Sequence, residues 1–376
     1  MKFSFNHEQE EFRSILRRFL ADRSPSKEIR RLMATDAGWE RERWQALNAE
    51  LGLTAVRIPE EYGGQGFGFA EHCIVLEEMG RALLCAPYFA TTVLAAGAIL
   101  NAGTEAQKQS LLPDIANGKT IATLAAAEDN GRWDGSGTTL TTNKLADSYQ
   151  LNGHKNFVLD GHTADLIVVL ARTPDSHGDD GLSLFTVRGD APGLTRRSLA
   201  TMDQTRKLAR LEFVDVQASL LGKEGTGAGS FAKTMIEASV CMANEMVGGA
   251  ARLREDALAY AMMRMQFGRA IASFQSMKHK QADMLLDVEL AKSAAYFAAA
   301  ALDDGDTDIA TTAALTKACV SDTYTQTAIH AIQIHGGIGF TWDNDTHLWF
   351  KRAKSSEVLF GDAHYHREQM LLHWAA

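Results

Sequence analysis

The spacing of apolar residues changes twice along the chain, and this change constrains the fold more than any other feature of the sequence. In residues 9–20, apolar side chains recur at i, i+3, i+4, i+7 and i+8, which is one stripe of a helix. From about residue 120 the period shortens to two, as expected for strands. Beyond residue 230 the helical period returns in long segments rich in alanine and methionine. The sequence therefore predicts a helical part, a β part and a second helical part.

The individual elements follow from the same periods. Helices are predicted at 9–20, 40–51, 69–84, 91–102, 237–265, 277–302 and 307–335, and strands at 166–170, 182–187 and 211–216. Glycine-rich stretches at 59–66 and 222–229 predict a turn and a linker. We expect an α+β chain with a helical domain at 1–119, an antiparallel β domain at 120–225 and a helical domain at 226–376.

Composition limits the class of ligand and the compartment. The chain has 376 residues, 45% hydrophobic and 23% charged, which is ordinary for a globular protein that needs no disulfide or metal to fold. A net charge of −9 argues against nucleic-acid binding, because phosphates must be met by a basic face. No apolar run reaches the roughly 20 residues that span a bilayer, and the N-terminus lacks the apolar core of a secretory signal. Since the four cysteines have no regular spacing, we expect a cytoplasmic protein with reduced thiols and no membrane partner.

Residues 264–275 carry the first candidate binding motif. Gly268 is expected to end one helix, and Arg264 and Arg269 offer planar charged groups that suit phosphate. Phe267 and Phe274 could form apolar walls for an aromatic ring. The alternative is a simple helix hairpin whose arginines are solvated, since basic residues favour helix C-termini anyway. The pattern alone leaves both interpretations open.

Residues 333–341 carry the second motif. Gly336 and Gly337 follow a long helix and are first of all a helix stop. They would also let backbone N–H groups approach an anion, and Gln333 adds a donor and an acceptor. His364 and His366 could suggest a metal, but no third ligand lies at metal spacing, so we expect no metal site.

Together these motifs resemble the signature of the acyl-CoA dehydrogenase family. An Arg-x-x-Phe-Gly run followed by Phe-Gln at 264–275, and Gln-Ile-His-Gly-Gly-Ile-Gly-Phe at 333–340, have the family's order and separation. The Pro-Glu-Glu-Tyr-Gly-Gly stretch at 59–64 and Leu-Glu-Glu-Met-Gly-Arg at 76–81 add to the resemblance. It covers the whole chain, and it implies that family's fold, with a β-barrel-like middle domain and a C-terminal four-helix bundle.

The resemblance implies a flavoenzyme that removes hydrogen from the α and β carbons of an acyl-CoA thioester. A carboxylate takes the α-proton, and the β-hydrogen leaves as hydride to the flavin of FAD. In the family, the two motifs reach across a dimer interface to the pyrophosphate and adenosine end of the neighbour's FAD. The positions carried over to this chain are Arg264, Phe267, Phe274, Gln275, Gln333, Gly336 and Gly337.

The residues expected near the flavin ring differ from the family pattern. Ala127 stands where a threonine is usual, in the run Ala126-Ala-Glu-Asp. The family's Trp-Ile-Thr becomes Phe157-Val-Leu, and Leu159 cannot donate the hydrogen bond that the threonine gives near the flavin nitrogen. The resemblance therefore implies that this chain has weakened its own flavin-ring contacts.

The catalytic base is expected to be missing as well. Phe360 occupies the position of the glutamate in one branch of the family, and Ala238 stands near the position used in others. Glu237, Glu245 and Asp362 lie close to these positions in sequence and are the remaining candidates for a base. Each of these carboxylates can equally be structural or solvated.

Three functions are compatible with this pattern. The first is the base-lacking subunit of a heteromeric, α2β2 acyl-CoA dehydrogenase of lipid metabolism, paired with a base-bearing paralogue and resembling bacterial enzymes of steroid degradation. The second is a self-sufficient homo-oligomer with a displaced carboxylate, and the third is a non-enzymatic scaffold that binds CoA thioesters. For either enzyme, the resemblance implies electron-transfer flavoprotein or a similar protein as the electron acceptor.

Overall fold

The computed structural model describes residues 5–146 and 148–375, and it divides into two compact units. The helical unit consists of Met1–Arg30, Phe69–Leu84 and Ser239–Ala376. The sheet unit consists of Arg31–Gly68 and Cys85–Ala238. The division into domains at 1–119, 120–225 and 226–376 stays a prediction.

The helices occupy both ends of the chain and the strands lie between them. The α-helices are α1 (His7–Arg23), α2 (Ser26–Met33), α3 (Arg41–Leu51), α4 (Phe69–Arg81), α5 (Ala96–Ala102), α6 (Glu105–Ala116), α7 (Gly227–Met263), α8 (Gln275–Asp303), α9 (Ile309–His335), α10 (Thr346–Val358) and α11 (Ala363–Ala375). The strands are β1 (Ala122–Ala125), β2 (Thr141–Lys144), β3 (Tyr149–Leu159), β4 (Leu166–Arg172), β5 (Leu182–Arg188), β6 (Leu194–Ser198), β7 (Leu208–Leu221), β8 (Met265–Gln266) and β9 (Arg269–Ala270).

The helical unit is a layered set of long helices. Within it α1 packs on α4, α4 on α8, and α8 on α9, while α10 and α11 both pack on α9. A capping box begins α1: the Asn6 side chain accepts a hydrogen bond from the Gln9 backbone N–H, and the Gln9 side-chain oxygen accepts one from the Asn6 backbone N–H. Buried alanines at Ala291, Ala295 and Ala298 form one face of α8, which allows neighbouring helix axes to approach closely.

The contact between α4 and α7 is closer still, because two glycines meet the opposite backbone. A Cβ atom built on Gly80 would lie 1.9 Å from the carbonyl oxygen of Glu245. One built on Gly248 would lie 1.8 Å from the carbonyl oxygen of Glu77. Real Cβ atoms do not come this close to an oxygen, so only glycine fits at either position.

The sheet unit contains a small closed barrel. Strands β4, β2, β3, β7 and β5 pair in sequence, and β5 pairs back to β4; β1 and β6 add to β4 and β7 from outside this ring. Its interior is filled by alternate side chains of facing strands, including Leu151, Ile167, Phe185 and Leu211. The predicted β-barrel-like middle part is confirmed. The expectation of a purely antiparallel sheet is wrong, because β1 runs parallel to β4 from Ala122↔Leu166 to Ala125↔Val169.

The long elements match the predicted ones within a few residues, but three local predictions need correction. The helix expected at 91–102 is a π-helical segment, Phe89–Ala95, continued by α5. The linker expected at 222–229 is helical from Gly227 onward, where α7 begins. The helix expected at 237–265 is therefore ten residues longer at its start, and it ends at Met263. None of the described helices is long and apolar enough to cross a membrane.

Candidate functional site

The first motif forms a β-hairpin between α7 and α8. The expectation that Gly268 ends a helix is wrong, since α7 stops at Met263 and β8 and β9 follow. Phe267 and Gly268 form the two-residue turn with φ of 53° and 77°. Left-handed values at both positions are typical of a type I′ turn, whose twist matches the flanking strands. Phe267 is a bulky residue in a conformation that glycine or asparagine usually takes. Because Phe267 occupies the turn, its ring lies at the tip of the hairpin.

The side chains of this hairpin are presented to solvent. Phe267 is 89% exposed, and Arg264, Arg269 and Gln275 are exposed as well. The Phe267 and Phe274 rings meet edge to face with centroids 6.0 Å apart, and the Arg269 guanidinium carbon lies 4.1 Å from the Phe274 centroid. Aromatic surface and guanidinium groups therefore lie side by side, as a nucleotide ligand would require.

The second motif lies at the end of α9, next to the end of α7. The Tyr260 ring stacks on the His335 ring at 4.4 Å between centroids, four residues before Arg264. Gly336, with φ of 67°, ends α9, so the interpretation of the glycine pair as a helix stop is confirmed. A Cβ atom built on Gly336 or on Gly337 would meet nothing within 4 Å, so the backbone there is open to a ligand.

Sequence reasoning missed a cation beside this motif. The Lys280 amino group on α8 lies 3.0 Å from the side-chain oxygen of Gln333 and 3.1 Å from Nδ1 of His330. Lys280 is five positions after Gln275, on the next turn of the same helix. The pairing joins residues 53 apart in sequence, and nothing in the local pattern of α8 distinguishes this lysine from a solvated one.

In the sheet unit, the loop with Ala127 is docked on β3. The backbone N–H of Asn156 donates to the carbonyl oxygen of Ala127 at 2.8 Å. Phe157 has φ of 55°, and its N–H donates to the side-chain oxygen of Asn156 at 3.1 Å. Leu159 is buried, and its carbonyl oxygen accepts from the Thr123 hydroxyl at 2.6 Å. Neither Ala127 nor Leu159 carries a side-chain donor, as the sequence indicates.

A buried ion pair holds this loop in place. The fully buried Lys155 amino group donates to Glu128 Oε1 at 2.8 Å and to the Ala126 carbonyl oxygen at 2.9 Å. Glu128 also accepts from the backbone N–H groups of Thr139 and Leu140. Burial lowers the pKa of Lys155 to about 8, and the Glu128 carboxylate opposes that shift. Sequence reasoning missed both residues, although Lys155 stands out as a lysine in a strand that alternates buried and exposed.

Each carboxylate that remained a candidate base is already engaged. In the sheet unit, buried Glu237 accepts from Arg57 at 2.8 Å and from Asn101 at 3.2 Å, and Ala238 is fully buried. In the helical unit, buried Glu245 lies 3.0 Å from Arg352. Each of these two carboxylates therefore forms a buried ion pair with an arginine.

The third candidate, Asp362, immediately precedes α11. Its carboxylate accepts from the backbone N–H of Tyr365 at 2.8 Å, which is a helix-capping contact, and the side chain is exposed.

Phe360 lies in the turn between α10 and α11. It is 4% exposed and has φ of 63°, a value rarely adopted by a phenylalanine. The fully buried Lys317 amino group donates to the carbonyl oxygens of Glu357 and Gly361, both at 3.2 Å. The ring of His366 forms a further hydrogen bond with the Phe360 backbone. The buried side chains of Lys317 and His366 thus both form hydrogen bonds with the backbone in and next to this turn.

Comparison with known proteins decides the family. The N-terminal, middle and C-terminal domains of acyl-CoA dehydrogenases match residues 6–119, 123–216 and 225–373. The acyl-CoA dehydrogenase IpdE2 of Mycobacterium tuberculosis is 30% identical over 94% of this chain and 92% of its own. The chain belongs to the acyl-CoA dehydrogenase family.

Solved structures give the same result for the fold. Butyryl-CoA dehydrogenase from Megasphaera elsdenii is 28% identical, with a TM-score of 0.91 over 100% of both chains. A variant of the Tcur3481-Tcur3483 steroid ACAD is 28% identical, with a TM-score of 0.88 over 98% of both chains. The predicted α+β fold of this family is therefore confirmed, and members of the family are oxidoreductases that act on acyl-CoA thioesters.

The flavin cofactor that the acyl-CoA dehydrogenase family implies fits the residues at the two motifs. An anion can reach the backbone at Gly336 and Gly337 without meeting a side chain. Arg264 is exposed, and Lys280 adds a second cation within the same unit. A diphosphate needs backbone that it can approach closely and cations in the same unit. The Gly336 N–H itself donates to the carbonyl oxygens of Ile332 and Gln333 at the end of α9.

Proposed function

We propose that this chain is the base-lacking subunit of a heteromeric acyl-CoA dehydrogenase and completes an FAD site shared with a base-bearing paralogue. The carrying observation is an asymmetry between two sets of residues. Arg264, Gln333 and the glycine pair, which serve a neighbour's FAD, are all present and exposed. Phe360 replaces the acid that would serve the chain's own site.

The exposed apolar residues around the two motifs support a role for these motifs across an interface. Phe267, Phe340 and Trp342 are 89%, 65% and 59% exposed, and Met263 at the end of α7 and Met265 of the hairpin are exposed as well. Large aromatic and thioether groups gathered around two binding motifs are typical of a surface that another chain covers. A partner subunit with its FAD would bury this surface and bring the cofactor to Arg264.

The residues at the positions of the catalytic base support the proposal that the chain does not catalyse the reaction alone. A phenyl ring cannot accept a proton, and Ala238 has no acid at the alternative position. Glu237 and Glu245 are paired with arginines, and Asp362 caps a helix. A carboxylate serves as a general base only if it can reach the substrate proton, and all three are committed to other contacts.

In this proposal the residues of the chain bind and position the cofactor rather than react. FAD, when bound, accepts the hydride that leaves the acyl β-carbon. Arg264 would neutralise the diphosphate, the open backbone at Gly336 and Gly337 would lie against it, and Phe267 and Phe274 would wall the adenosine end. The partner subunit supplies the base, and electron-transfer flavoprotein or a similar protein takes up the electrons.

The proposed substrate is an acyl-CoA with a bulky, polycyclic acyl group. The support is the likeness to the Tcur3481-Tcur3483 steroid ACAD, whose name pairs two designations. A phenylalanine in place of a glutamate also changes the shape of the wall at position 360.

The test is to reconstitute the isolated chain with FAD and to screen it against straight-chain and polycyclic acyl-CoAs, using an artificial electron acceptor. We expect no turnover from the chain alone, and flavin retention with turnover once a base-bearing paralogue is co-expressed. Robust dehydrogenation by the isolated chain would favour the self-sufficient homo-oligomer. Failure to retain flavin with any partner would favour the scaffold.

A further inference from the structure

One ammonium group connects α8 to the last part of α9, where the second motif begins. The Lys280 amino group lies 3.0 Å from the side-chain oxygen of Gln333 and 3.1 Å from Nδ1 of His330. His330 and Gln333 are three positions apart on α9, so their side chains lie on the same face of that helix. All three residues belong to the helical unit. A single side chain of α8 therefore contacts two side chains of α9 close to its end at Gly336.

The chemistry of Lys280 decides how both partners are oriented. An ammonium group has three hydrogens to donate and no atom that accepts. The Gln333 atom that faces it is therefore the carbonyl oxygen of the amide, and His330 Nδ1 is the ring nitrogen without a hydrogen. Lys280 thus holds the Gln333 amide in one of its two orientations and His330 in one of its two tautomers.

This orientation makes the outer end of Gln333 a hydrogen-bond donor. The side chain is exposed, and among residues 5–146 and 148–375 no acceptor is bonded to its amide nitrogen. The neighbouring Gly336 N–H is already used, because it donates to the carbonyl oxygens of Ile332 and Gln333. The Gln333 amide therefore supplies two hydrogens beside a helix end whose own terminal N–H is occupied.

A ligand that meets the Gln333 amide has to bring acceptor atoms. Diphosphate oxygens are strong acceptors, and a nearby cation favours them further. A Cβ atom built on Gly336 or Gly337 would meet nothing within 4 Å, so such a group can approach the backbone beside Gln333. If the amide were reversed, its oxygen would face the diphosphate and repel it. The contact with Lys280 opposes that reversal.

We propose that Lys280 is a positioning residue of the FAD half-site, which acts through Gln333 by holding its amide as a hydrogen-bond donor to the diphosphate. This inference rests on the proposed function, because the half-site is part of it. It assigns Gln333 the role of donor only, since its acceptor oxygen is occupied by Lys280.

Nuclear magnetic resonance of the full-length chain without cofactor tests the orientation by itself. Relaxation of the Gln333 side-chain amide nitrogen should show an ordered group in the wild type and a mobile one in Lys280→Met. Lys278→Met removes a charge from an exposed position of the same helix and should leave Gln333 ordered. Equal mobility of Gln333 in the wild type and in Lys280→Met overturns the proposal, because the amide is then not held.

Isothermal titration of the full-length chain with ADP tests the link to the diphosphate. Lys280→Met and Gln333→Met should each weaken ADP binding about tenfold, and Lys278→Met should not. The double variant should bind no more weakly than Gln333→Met alone, because Lys280 acts through that side chain. Losses that add in the double variant would show that Lys280 acts on the ligand directly, and they overturn the proposal.

Two outcomes separate this inference from the proposed function. ADP binding that is weakened by Arg264→Ala but not by Lys280→Met overturns the role of Lys280 and leaves the half-site in place. No saturable binding of ADP by the wild type argues against the half-site itself, and both proposals then fail. Circular dichroism melting checks that each variant is folded. Gln333 is exposed, so undiminished ADP binding by Gln333→Met overturns the proposal even if Lys280→Met unfolds.

Discussion

The amino group of Lys317 lies 3.2 Å from the carbonyl oxygens of both Glu357 and Gly361, so one buried cation joins the end of α10 to the turn that carries Phe360. Ser321 provides the third acceptor at 3.1 Å, which uses all three ammonium hydrogens. The last carbonyls of a helix carry partial negative charge and favour a cation there. Residue 360 is thus held in place by a side chain from a different helix.

This arrangement predicts how stability changes with pH. Burial lowers the pKa of Lys317 to about 7, below its ordinary 10.5, so the unfolded chain binds more protons between these values. The contribution of Lys317 to the free energy of unfolding should therefore rise as the pH increases from about 7 towards 10.5. In urea titrations, the free energy of unfolding of the wild type minus that of Lys317→Met should become more positive from pH 7 to pH 9. Lys278→Met, at an exposed position of α8, is the control. A difference between wild type and Lys317→Met that decreases as the pH rises would contradict the prediction.

His366, beneath the same turn, should act in the acid range. Burial and the nearby Lys317 lower the pKa of His366 to about 4, so the unfolded chain binds more protons between pH 4 and 6.5. Stability should fall as the pH drops from 6.5 to 4. His366→Asn should lose part of this acid sensitivity, while His364→Asn, at an exposed position, should keep it. Melting temperatures at pH 6.5 and pH 4.5 measure the difference, and identical slopes for the two variants would count against it.

Arg264→Ala should weaken FAD retention in the assembled enzyme without unfolding the chain. A charge-assisted contact to phosphate contributes about 1.5–3 kcal/mol, which corresponds to roughly ten- to a hundredfold in affinity. The flavin absorbance that remains after extensive dialysis is the measurement. Arg197→Ala, an exposed arginine of β6, should retain wild-type flavin content. Full retention by Arg264→Ala would argue against a role across the interface.

Phe360→Glu alone should not give the isolated chain dehydrogenase activity. A missing general base costs about 10²–10⁴-fold in rate, but Leu159 and Ala127 also lack the donors that the family offers to the flavin ring. We expect measurable turnover only when Leu159→Thr and Ala127→Thr are added to Phe360→Glu. Activity of the single variant would show that the flavin-ring contacts are not limiting.

The glycine contact between α4 and α7 predicts opposite effects for two substitutions in one helix. Gly248→Ala would force the helices apart and should destabilise the chain by about 1–3 kcal/mol. Gly229→Ala, where an added Cβ meets nothing within 4 Å, should stabilise it by about 0.5–1 kcal/mol, because alanine favours the helix. Urea midpoints of the two variants decide the matter. Equal shifts would mean that the close approach is relaxed in solution.

Much of the architecture could be predicted from the sequence because it depends on long periodic segments. The helices α8 and α9 run for 29 and 27 residues, and alanine-rich periodicity alone indicates them. The hairpin at Phe267 could not be predicted, since a left-handed φ at a phenylalanine has no sequence signal and depends on its surroundings.

The site shows the same limit. The motif positions could be assigned from the resemblance, but the contacts that engage the candidate bases could not. Arg57 is 180 residues from Glu237, and Arg352 is 107 residues from Glu245. Such pairs form only when the folded chain brings distant segments together, so the sequence shows two carboxylates near the expected positions and gives no sign that arginines occupy them.

The close approach of Gly80 to the Glu245 backbone, and of Gly248 to the Glu77 backbone, also has a mechanical consequence. Because no side chain separates the two backbones, there is no deformable layer that would let α4 and α7 tilt against each other, and α7 is fixed in position at Gly248. From that position to Met263, where the hairpin begins, the helix runs for roughly four turns. This segment is therefore fixed at one end only. Any movement of Phe267 towards a partner has to come from bending of these last turns or from a change in the hairpin itself.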